Sequence, residues 1–337
     1  MMERMSTVYC AERRLTFEAP VDLARSVSVL RRGSHDPTIS VQTSPHRTRV
    51  FLTARVPEHE GHGIAAVLDQ SATSGLLAVA PIDVVAWGQD RDEVDVFLAS
   101  ADRLVGLEDD WSVFASSPEF GLLPHHARAA YRLHPGLRLC STGWIFKQTV
   151  TAIFEQRVTG SEAIGAWQRM VRRIGSDPAP APHGVPHPPE GMVAFPTPRE
   201  WLSVPSWEWR RAGVDAHRVR AVRSLAERAP SLLRFAESAG PGDVARQLSA
   251  VPGIGAWTIA EAMQRSHGLP DAISVGDYHL AHGVCYALEG RRGDDTRMLE
   301  LLRPWAGNRQ RVVRLLGLST VKEPRRGPRV APRSLAG

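Results

Sequence analysis

The amino-acid sequence predicts an α+β protein in which a small N-terminal antiparallel sheet domain with helices precedes an all-α domain. Two strand-like runs, Thr38–Val41 and Val50–Val56, flank a polar turn. From about Pro118, apolar residues recur at helical spacing between prolines and glycines. The 337 residues exceed one ordinary domain. We therefore expect a sheet domain over 1–117, a helical domain over 118–320 and a disordered basic tail over 321–337.

Local spacing predicts the remaining elements of the first domain. Gly61–Ser71 has apolar residues at helical spacing, which indicates a helix. Val94–Leu98 alternates weakly, as a strand does, and Ala99–Leu104 has the pattern of a helix start. These elements are typical of a small antiparallel sheet that carries helices on one face.

The second domain contains nine segments with apolar residues at helical spacing. The proline-rich stretch Asp177–Glu190 is predicted as a loop or linker, because proline removes helix hydrogen bonds. The predicted helices are Thr149–Phe154, Glu162–Ile174, Asp215–Ala229, Ser231–Ser238, Asp243–Ser249, Trp257–Ser266, Tyr278–Leu288, Asp295–Leu302 and Gln310–Leu316.

Composition argues against several classes of protein. No run of about 18 apolar residues is present, so no membrane helix is expected, and charges through Arg14 argue against a signal peptide. Cys10, Cys140 and Cys285 lie too far apart for a zinc, iron–sulfur or disulfide pattern. We therefore expect no cofactor, no bound metal and a reducing cytosol.

The charge is unevenly distributed along the chain. Residues 1–120 contain 11 arginines against 18 acidic residues, whereas residues 121–337 contain 30 basic against 18 acidic residues. The positive second part favours contact with a polyanion such as nucleic acid, and the alternative is a solvated, arginine-rich surface. Lysine is nearly absent, with only Lys147 and Lys322 in the whole sequence.

The most informative segment runs from residue 251 to residue 280. Val251–Gly255 reads VPGIG, a glycine hairpin ahead of a helix, and such exposed N–H groups bind phosphate. Asp277 follows Trp257 by twenty residues and offers a carboxylate. Its position before an apolar helix also fits an N-cap, which is compatible with a chemical role. A backbone phosphate-binding site together with one carboxylate and no metal cluster predicts chemistry on nucleic acid at the sugar–base bond.

These residues resemble the helix-hairpin-helix–GPD superfamily of DNA glycosylases. The matching motifs are VPGIGAWT at Val251–Thr258, PDA at Pro270–Ala272 and VGDYH at Val275–His279, with further similarity at Glu155–Thr159 and Phe195–Pro198. The resemblance covers roughly residues 144–318 and is greatest to the bacterial 3-methyladenine DNA glycosylase II branch. The N-terminal half matches that branch only in architecture.

The resemblance implies a monofunctional DNA glycosylase that flips a damaged, alkylated purine from duplex DNA and hydrolyses its N-glycosidic bond in base excision repair. Asp277 would be the catalytic carboxylate. Relatives that also cut the backbone use a lysine where this chain has Trp257, so no lyase activity is expected. A glycosylase for oxidised or deaminated bases and a non-catalytic damaged-DNA-binding protein are the alternatives. A monomer in the bacterial cytosol or nucleoid, bound to double-stranded DNA and to no membrane, is expected.

Three residues are candidates for the base pocket. Trp257 would stack on a flipped base, and the alternative is a core tryptophan. Glu261 lies one turn later, where relatives can carry an aromatic residue, and would attract a cationic base, accept a base N–H or point to solvent. Trp144 begins the resemblance in a region that lines the cleft in relatives.

The remaining candidates contact DNA in relatives. The hairpin residues Pro252, Gly253, Ile254 and Gly255 would meet a phosphate through their backbone. The carbonyls of Val251 and Ile254 would hold a monovalent cation beside it.

Three side chains near the hairpin complete the predicted DNA-binding set. Thr258 would add a hydroxyl to the phosphate site or pack at the start of its helix. Gln156 and Arg157 lie in the segment that fills the hole left by a flipped base, where Arg157 would be a polar wedge or an exposed arginine at a helix end.

Overall fold

The computed structural model describes residues 8–56, 62–72 and 77–324 and has the predicted α+β architecture. Its five strands are β1 Tyr9–Leu15, β2 Ile39–Ser44, β3 Arg47–Ala54, β4 Ile64–Ser71 and β5 Ile82–Gly88. They form one antiparallel sheet in the order β1-β5-β4-β3-β2. The sheet and the helices confirm the α+β class, and the division into two domains stays a prediction.

Sixteen helices are present in the described residues, and most follow the sheet. They are α1 Leu23–Ser28, α2 Arg91–Ala99, α3 Ala101–Val105, α4 Ser112–Ala115, α5 Pro118–Gly121, α6 His125–Leu133, α7 Ile145–Phe154, α8 Gly160–Ile174, α9 Pro198–Ser203, α10 Ser206–Arg211, α11 Ala216–Ala236, α12 Pro241–Ser249, α13 Ala256–Ser266, α14 Leu280–Glu289, α15 Asp295–Leu302 and α16 Arg309–Leu318. Single 3₁₀ turns occur at Leu77–Val79 and Arg303–Trp305. None of these helices combines the length and the apolar character needed to cross a membrane.

Both faces of the sheet are buried, and this explains one wrong prediction. Gly61–Ser71 was expected to be helical, but residues 64–71 form β4, with Leu68 facing one core and Val67 the other. Apolar residues on both sides of a strand remove the polar alternation that marks a half-exposed strand. The resulting apolar run also fits helical spacing.

The prediction of a strand at Val94–Leu98 is also wrong. These residues belong to α2, which Asp90 caps by accepting hydrogen bonds from the N–H groups of Asp92 and Glu93. Val94, Phe97 and Leu98 are buried on one helix face against the sheet. Helix α3 confirms the predicted helix start, and β1 and β5 have no counterpart among the predicted strands.

Helix α11 runs unbroken through Pro230, where a break between two helices was predicted. Proline removes one intrahelical hydrogen bond at a cost of about 3 kcal/mol. Ala226, Ala229 and Leu233 are buried in the same core on both sides of the proline. Continuous packing of this apolar stripe offsets the lost bond. The other predicted helices are present with ends shifted by a few residues.

The proline-rich stretch is irregular, as predicted, but it covers the sheet. Ala179 and Met192 form a small core with Trp87 and Phe51 on the outer sheet face. The indole N–H of Trp87 donates to Ala179 O at 2.9 Å. The stretch is therefore a packed layer of the sheet and not an extended linker.

The predicted boundary at residue 117 stays a prediction. Trp111 and Phe114 lie before it, yet they pack in one core with α14, α15 and α16. Of the predicted tail, residues 321–324 lie against the end of α16, where Lys322 Nζ contacts Leu316 O at 3.4 Å. Residues 325–337 lie outside the described part of the chain.

Replacing Trp87 by phenylalanine should lower the free energy of unfolding by about 1–3 kcal/mol, because a buried carbonyl loses its donor. Chemical denaturation measures the change. Trp207→Phe is the matched control, since Trp207 is 50% exposed and its replacement should cost less than about 0.5 kcal/mol. Equal effects of the two substitutions would contradict the role of the Ala179 contact.

Candidate active site

The hairpin Val251–Gly255 joins α12 to α13 and turns its backbone outward. Val251 and Ile254 bury their side chains, and Ile254 N donates to Val251 O at 3.1 Å. Pro252, Gly253 and Gly255 are exposed. Gly255 is the N-cap of α13, and no side chain caps this helix end. The first N–H groups of α13 therefore have no side-chain partner, and their contact with a phosphate stays a prediction.

Gly253 fixes the hairpin against α11. Its φ is +86°, and a Cβ atom there would lie 2.8 Å from the Cβ of Ala221. Both the backbone conformation and the close approach require glycine. In contrast, a Cβ on Gly255 would meet nothing within 4 Å.

Gln156 holds the hairpin from the side of α7. Its Nε2 donates to Gly253 O and to Thr258 Oγ1, both at 2.9 Å. Thr258 is only 2% exposed, so its hydroxyl points into the protein and the packing alternative is favoured over a phosphate contact. Gln156 therefore holds the hairpin against the start of α13. The cation on Val251 and Ile254 stays a prediction.

Arg157 has a φ of 56°, the only positive φ of a non-glycine residue in the described chain. This left-handed conformation costs an arginine free energy, and such strain clusters at functional sites. The residue is exposed and directly follows Gln156 in the chain. It lies in the turn directly after α7, so the polar wedge and the exposed arginine at a helix end both stay open as interpretations.

Asp277 and Trp257 meet at the start of α13. Trp257 Nε1 donates to Asp277 Oδ2 at 3.3 Å. Asp277 Oδ1 accepts from the N–H groups of His279 and Leu280, both at 2.9 Å, at the start of α14. The carboxylate therefore caps α14 and faces the helix that follows the hairpin. Both residues are partly exposed, so a ligand can reach them.

Glu261 is not solvated, although this was one of its predicted alternatives. Its side chain is 14% exposed, and Oε2 accepts from Arg265 Nη1 at 2.8 Å. Its other oxygen accepts from the Ser274 hydroxyl at 2.5 Å. The carboxylate lies one turn after Trp257 with both oxygens occupied, so little negative charge is left for a cationic base.

Arg265 belongs to a buried chain of charges that sequence analysis did not predict. Burial lowers its pKa, but the carboxylates of Glu261 and Glu155 outweigh burial and leave the pKa above its ordinary value. Arg265 Nε also donates to Val29 O at 3.0 Å, and Arg32 pairs with Glu155 at 2.9 Å. The i,i+4 spacing of Glu261 and Arg265 is a signal for the first pair. The long-range pair has no local signal.

Trp144 follows residues held at the other end of α13 from Trp257, so the structure does not bring these two predicted pocket residues together, and the role of Trp144 stays a prediction. The preceding residues, Thr142 and Gly143, hydrogen-bond to Arg265 O and Ser266 O at the far end of α13. Trp257 lies about 12 Å along the helix axis from that end. Trp144 is 7% exposed and lines a cavity of about 10 Å³ with Lys147 and Phe195. That volume admits one water molecule and no base.

Neither a cluster of metal ligands in the described residues nor a match to a protein family adds a residue to the candidate site. In the part of the chain that the structure describes, no three histidine, cysteine, aspartate or glutamate side chains are placed to hold a metal ion. No protein-family model and no curated protein matched the sequence.

Solved structures do match the fold. A 3-methyladenine DNA glycosylase from Archaeoglobus fulgidus superposes with a TM-score of 0.69 over 90% of this chain and 96% of its own, at 16% identity. The chain has a DNA glycosylase fold. The 8-oxoguanine glycosylase/lyase of Clostridium acetobutylicum gives 0.54 over 84% and 99% at 12% identity. The same enzyme with double-stranded DNA containing cytosine opposite 8-oxoguanine gives 0.53 over 82% and 96% at 11% identity.

Alanine at Gly253 should destabilise the hairpin by about 2 kcal/mol or more, because a positive φ and a 2.8 Å approach to Ala221 oppose a Cβ. Alanine at Gly255 should cost less than about 1 kcal/mol. Thermal or chemical unfolding of the two variants measures the difference. Similar stability of the two variants would contradict the fixed contact between the hairpin and α11.

Proposed function

We propose that the chain is a DNA glycosylase that flips a damaged purine, of the alkylated class, out of duplex DNA and hydrolyses its N-glycosidic bond in base excision repair. The observation that carries the proposal is the contact between Asp277 and Trp257 directly behind the open hairpin. It places a carboxylate and a flat aromatic ring beside a backbone site for phosphate.

One carboxylate is enough for this reaction. Cleavage of the bond builds positive charge on the sugar, and a fixed carboxylate stabilises that charge or assists the attack of water. The two backbone donors on Oδ1 hold Asp277 in place without neutralising it. An alkylated purine is already cationic and leaves readily, so no strong general acid is needed.

The structural neighbours support this class of reaction, since the first is a 3-methyladenine DNA glycosylase. The second neighbour is named an 8-oxoguanine glycosylase/lyase, and one observation favours a related second candidate here. Because Arg265 and Ser274 occupy the carboxylate of Glu261, this carboxylate is not free to pair with a cationic base. A neutral oxidised or deaminated base therefore remains the alternative substrate.

Asp277→Asn should lower base release roughly 10²- to 10⁴-fold while duplex binding persists, because asparagine keeps the backbone contacts and loses the charge. Single-turnover assays on duplexes that carry 3-methyladenine, hypoxanthine or 8-oxoguanine measure the rate. Asp294→Asn is the control, since Asp294 is an aspartate that accepts a backbone N–H, that of Arg297, at the start of α15 and is not bound to Trp257. Release at the wild-type rate by Asp277→Asn, or no release by the wild type from any lesion, would refute the proposal, and the second outcome favours a non-catalytic binder.

The proposed enzyme leaves the abasic strand intact. A lyase needs an amine at the sugar, and Trp257 cannot supply one. Lys147 Nζ is buried, donates to Thr38 Oγ1 at 3.1 Å and lies 4.9 Å from the Trp144 ring centroid. Lys322 lies beyond α16, with its Nζ donating to the carbonyl of Gly317. Both lysines of the chain are therefore held by other groups, which supports monofunctional chemistry.

Borohydride added during turnover should trap no covalent protein–DNA complex, since no lysine forms an imine with the abasic sugar. Gel electrophoresis under denaturing conditions measures the complex, and the strand should break only after alkali. Trp257→Lys tests the geometry, because an amine beside Asp277 should make trapping detectable. A trapped complex with the wild-type protein would show lyase chemistry and overturn this part of the proposal.

We also infer the partner, the oligomeric state and the cellular location of the enzyme. Its partner is double-stranded DNA with a damaged base, as supported by the neighbour that was solved with such a duplex. It acts as a monomer in the bacterial cytosol or nucleoid. The predicted sheet domain, residues 1–117, precedes the predicted helical domain, residues 118–320, and its excess of acidic residues opposes broad phosphate contact.

A further inference from the structure

A basic groove lies beside the hairpin and is not part of the Asp277 site. It has a volume of about 420 Å³ and runs between the first half of α11 and the hairpin tip. Its lining residues are His217, Arg220, Ala221, Arg223, Ser224, Glu227, Pro252 and Gly253. We propose that this groove binds the sugar–phosphate backbone of the duplex as an extension of the hairpin's phosphate site. The inference rests on the proposed function in taking duplex DNA as its ligand.

The cations of the groove are free to meet an external anion. Arg220 is exposed and makes no hydrogen bond or ion pair within the described chain. Arg223 donates one N–H to Leu202 O at 3.1 Å and keeps its other donors. Arg223 and Glu227 have the i,i+4 spacing of an ion pair, but the structure forms none between them. An arginine fork without an internal carboxylate suits a phosphate.

The groove and the hairpin form one rigid surface. Gly253 is the contact point, because the site of its Cβ lies 2.8 Å from Ala221 on the floor of the groove. Arg218, one turn before Ala221, is buried and donates to Phe154 O at 2.9 Å, which fixes the start of α11 to the end of α7. A strand that lies on the open N–H groups of α13 therefore passes Arg220 without a change in the protein.

Glu227 lies at the end of the positively charged part of the groove. It is exposed, and it lies about 10 Å along the helix axis from Arg220. A carboxylate at that distance repels a backbone that continues along the groove, since the Debye length is about 10 Å at 0.1 M salt. Substitutions of Arg220 and of Glu227 should therefore change the affinity for DNA in opposite directions.

The test measures equilibrium binding of the full chain to a fluorescein-labelled undamaged duplex and to the same duplex with one abasic-site analogue, across a salt series. Arg220→Gln should weaken both complexes roughly three- to tenfold. The slope of the logarithm of the association constant against the logarithm of the salt concentration should become less steep by about 0.9. Glu227→Gln should tighten both roughly two- to threefold. Arg234→Gln is the matched control, because Arg234 is exposed at the other end of α11, about 21 Å along the axis.

The outcomes separate this inference from the proposed function. If Arg220→Gln binds with the wild-type slope, or changes no more than Arg234→Gln, the groove does not hold the backbone even when base release is observed. If the wild type releases no base but the two groove variants shift binding in opposite directions, the groove inference stands and the enzyme proposal fails. Should Arg220→Gln not fold, an unchanged affinity of Glu227→Gln overturns the inference on its own.

Discussion

The bond between the Trp257 indole and the Asp277 carboxylate links the two halves of the candidate site. Trp257 is the second residue of α13, so its position is set by the hairpin, while Asp277 is set by two N–H groups at the start of α14. The 3.3 Å contact therefore fixes a carboxylate relative to the hairpin. Catalysis by one acid depends on such fixed geometry, because a mobile carboxylate would reorganise as charge develops on the sugar.

The buried charges behind this contact explain how the sheet domain takes part. Glu261, Arg265, Glu155 and Arg32 alternate in sign, and Arg265 also binds Val29 O in the N-terminal part. Buried ion pairs add little net stability, because desolvation offsets their attraction. Removal of one partner is costly, however, since it leaves an unpaired buried charge. We infer that the chain of charges holds the back of the cleft in one arrangement and couples it to the segment after α1.

Local patterns predicted the hairpin and placed Asp277 just before a helix, because glycine positions and helix starts are visible in short stretches of sequence, but they did not predict its contact with Trp257. Local patterns failed where packing against distant segments determines the secondary structure. Strand β4 reads as a helix because both sheet faces are covered, and α11 continues through Pro230 because its apolar stripe is buried on both sides. The contact from Gln156 to Gly253 O spans 97 residues, and no short pattern contains it.

The occupied carboxylate of Glu261 bears on how such a cleft selects a base. Because both of its oxygens are held by Arg265 and Ser274, Glu261 is not free to meet a flipped base, and Asp277 faces the sugar in the proposed reaction. Recognition then depends on stacking against Trp257 and on how readily the base leaves. A cationic purine gains from the ring face and departs without a general acid. A normal purine has neither advantage, and unpairing it costs more free energy. One carboxylate can therefore discriminate against undamaged DNA without contacts that identify the base.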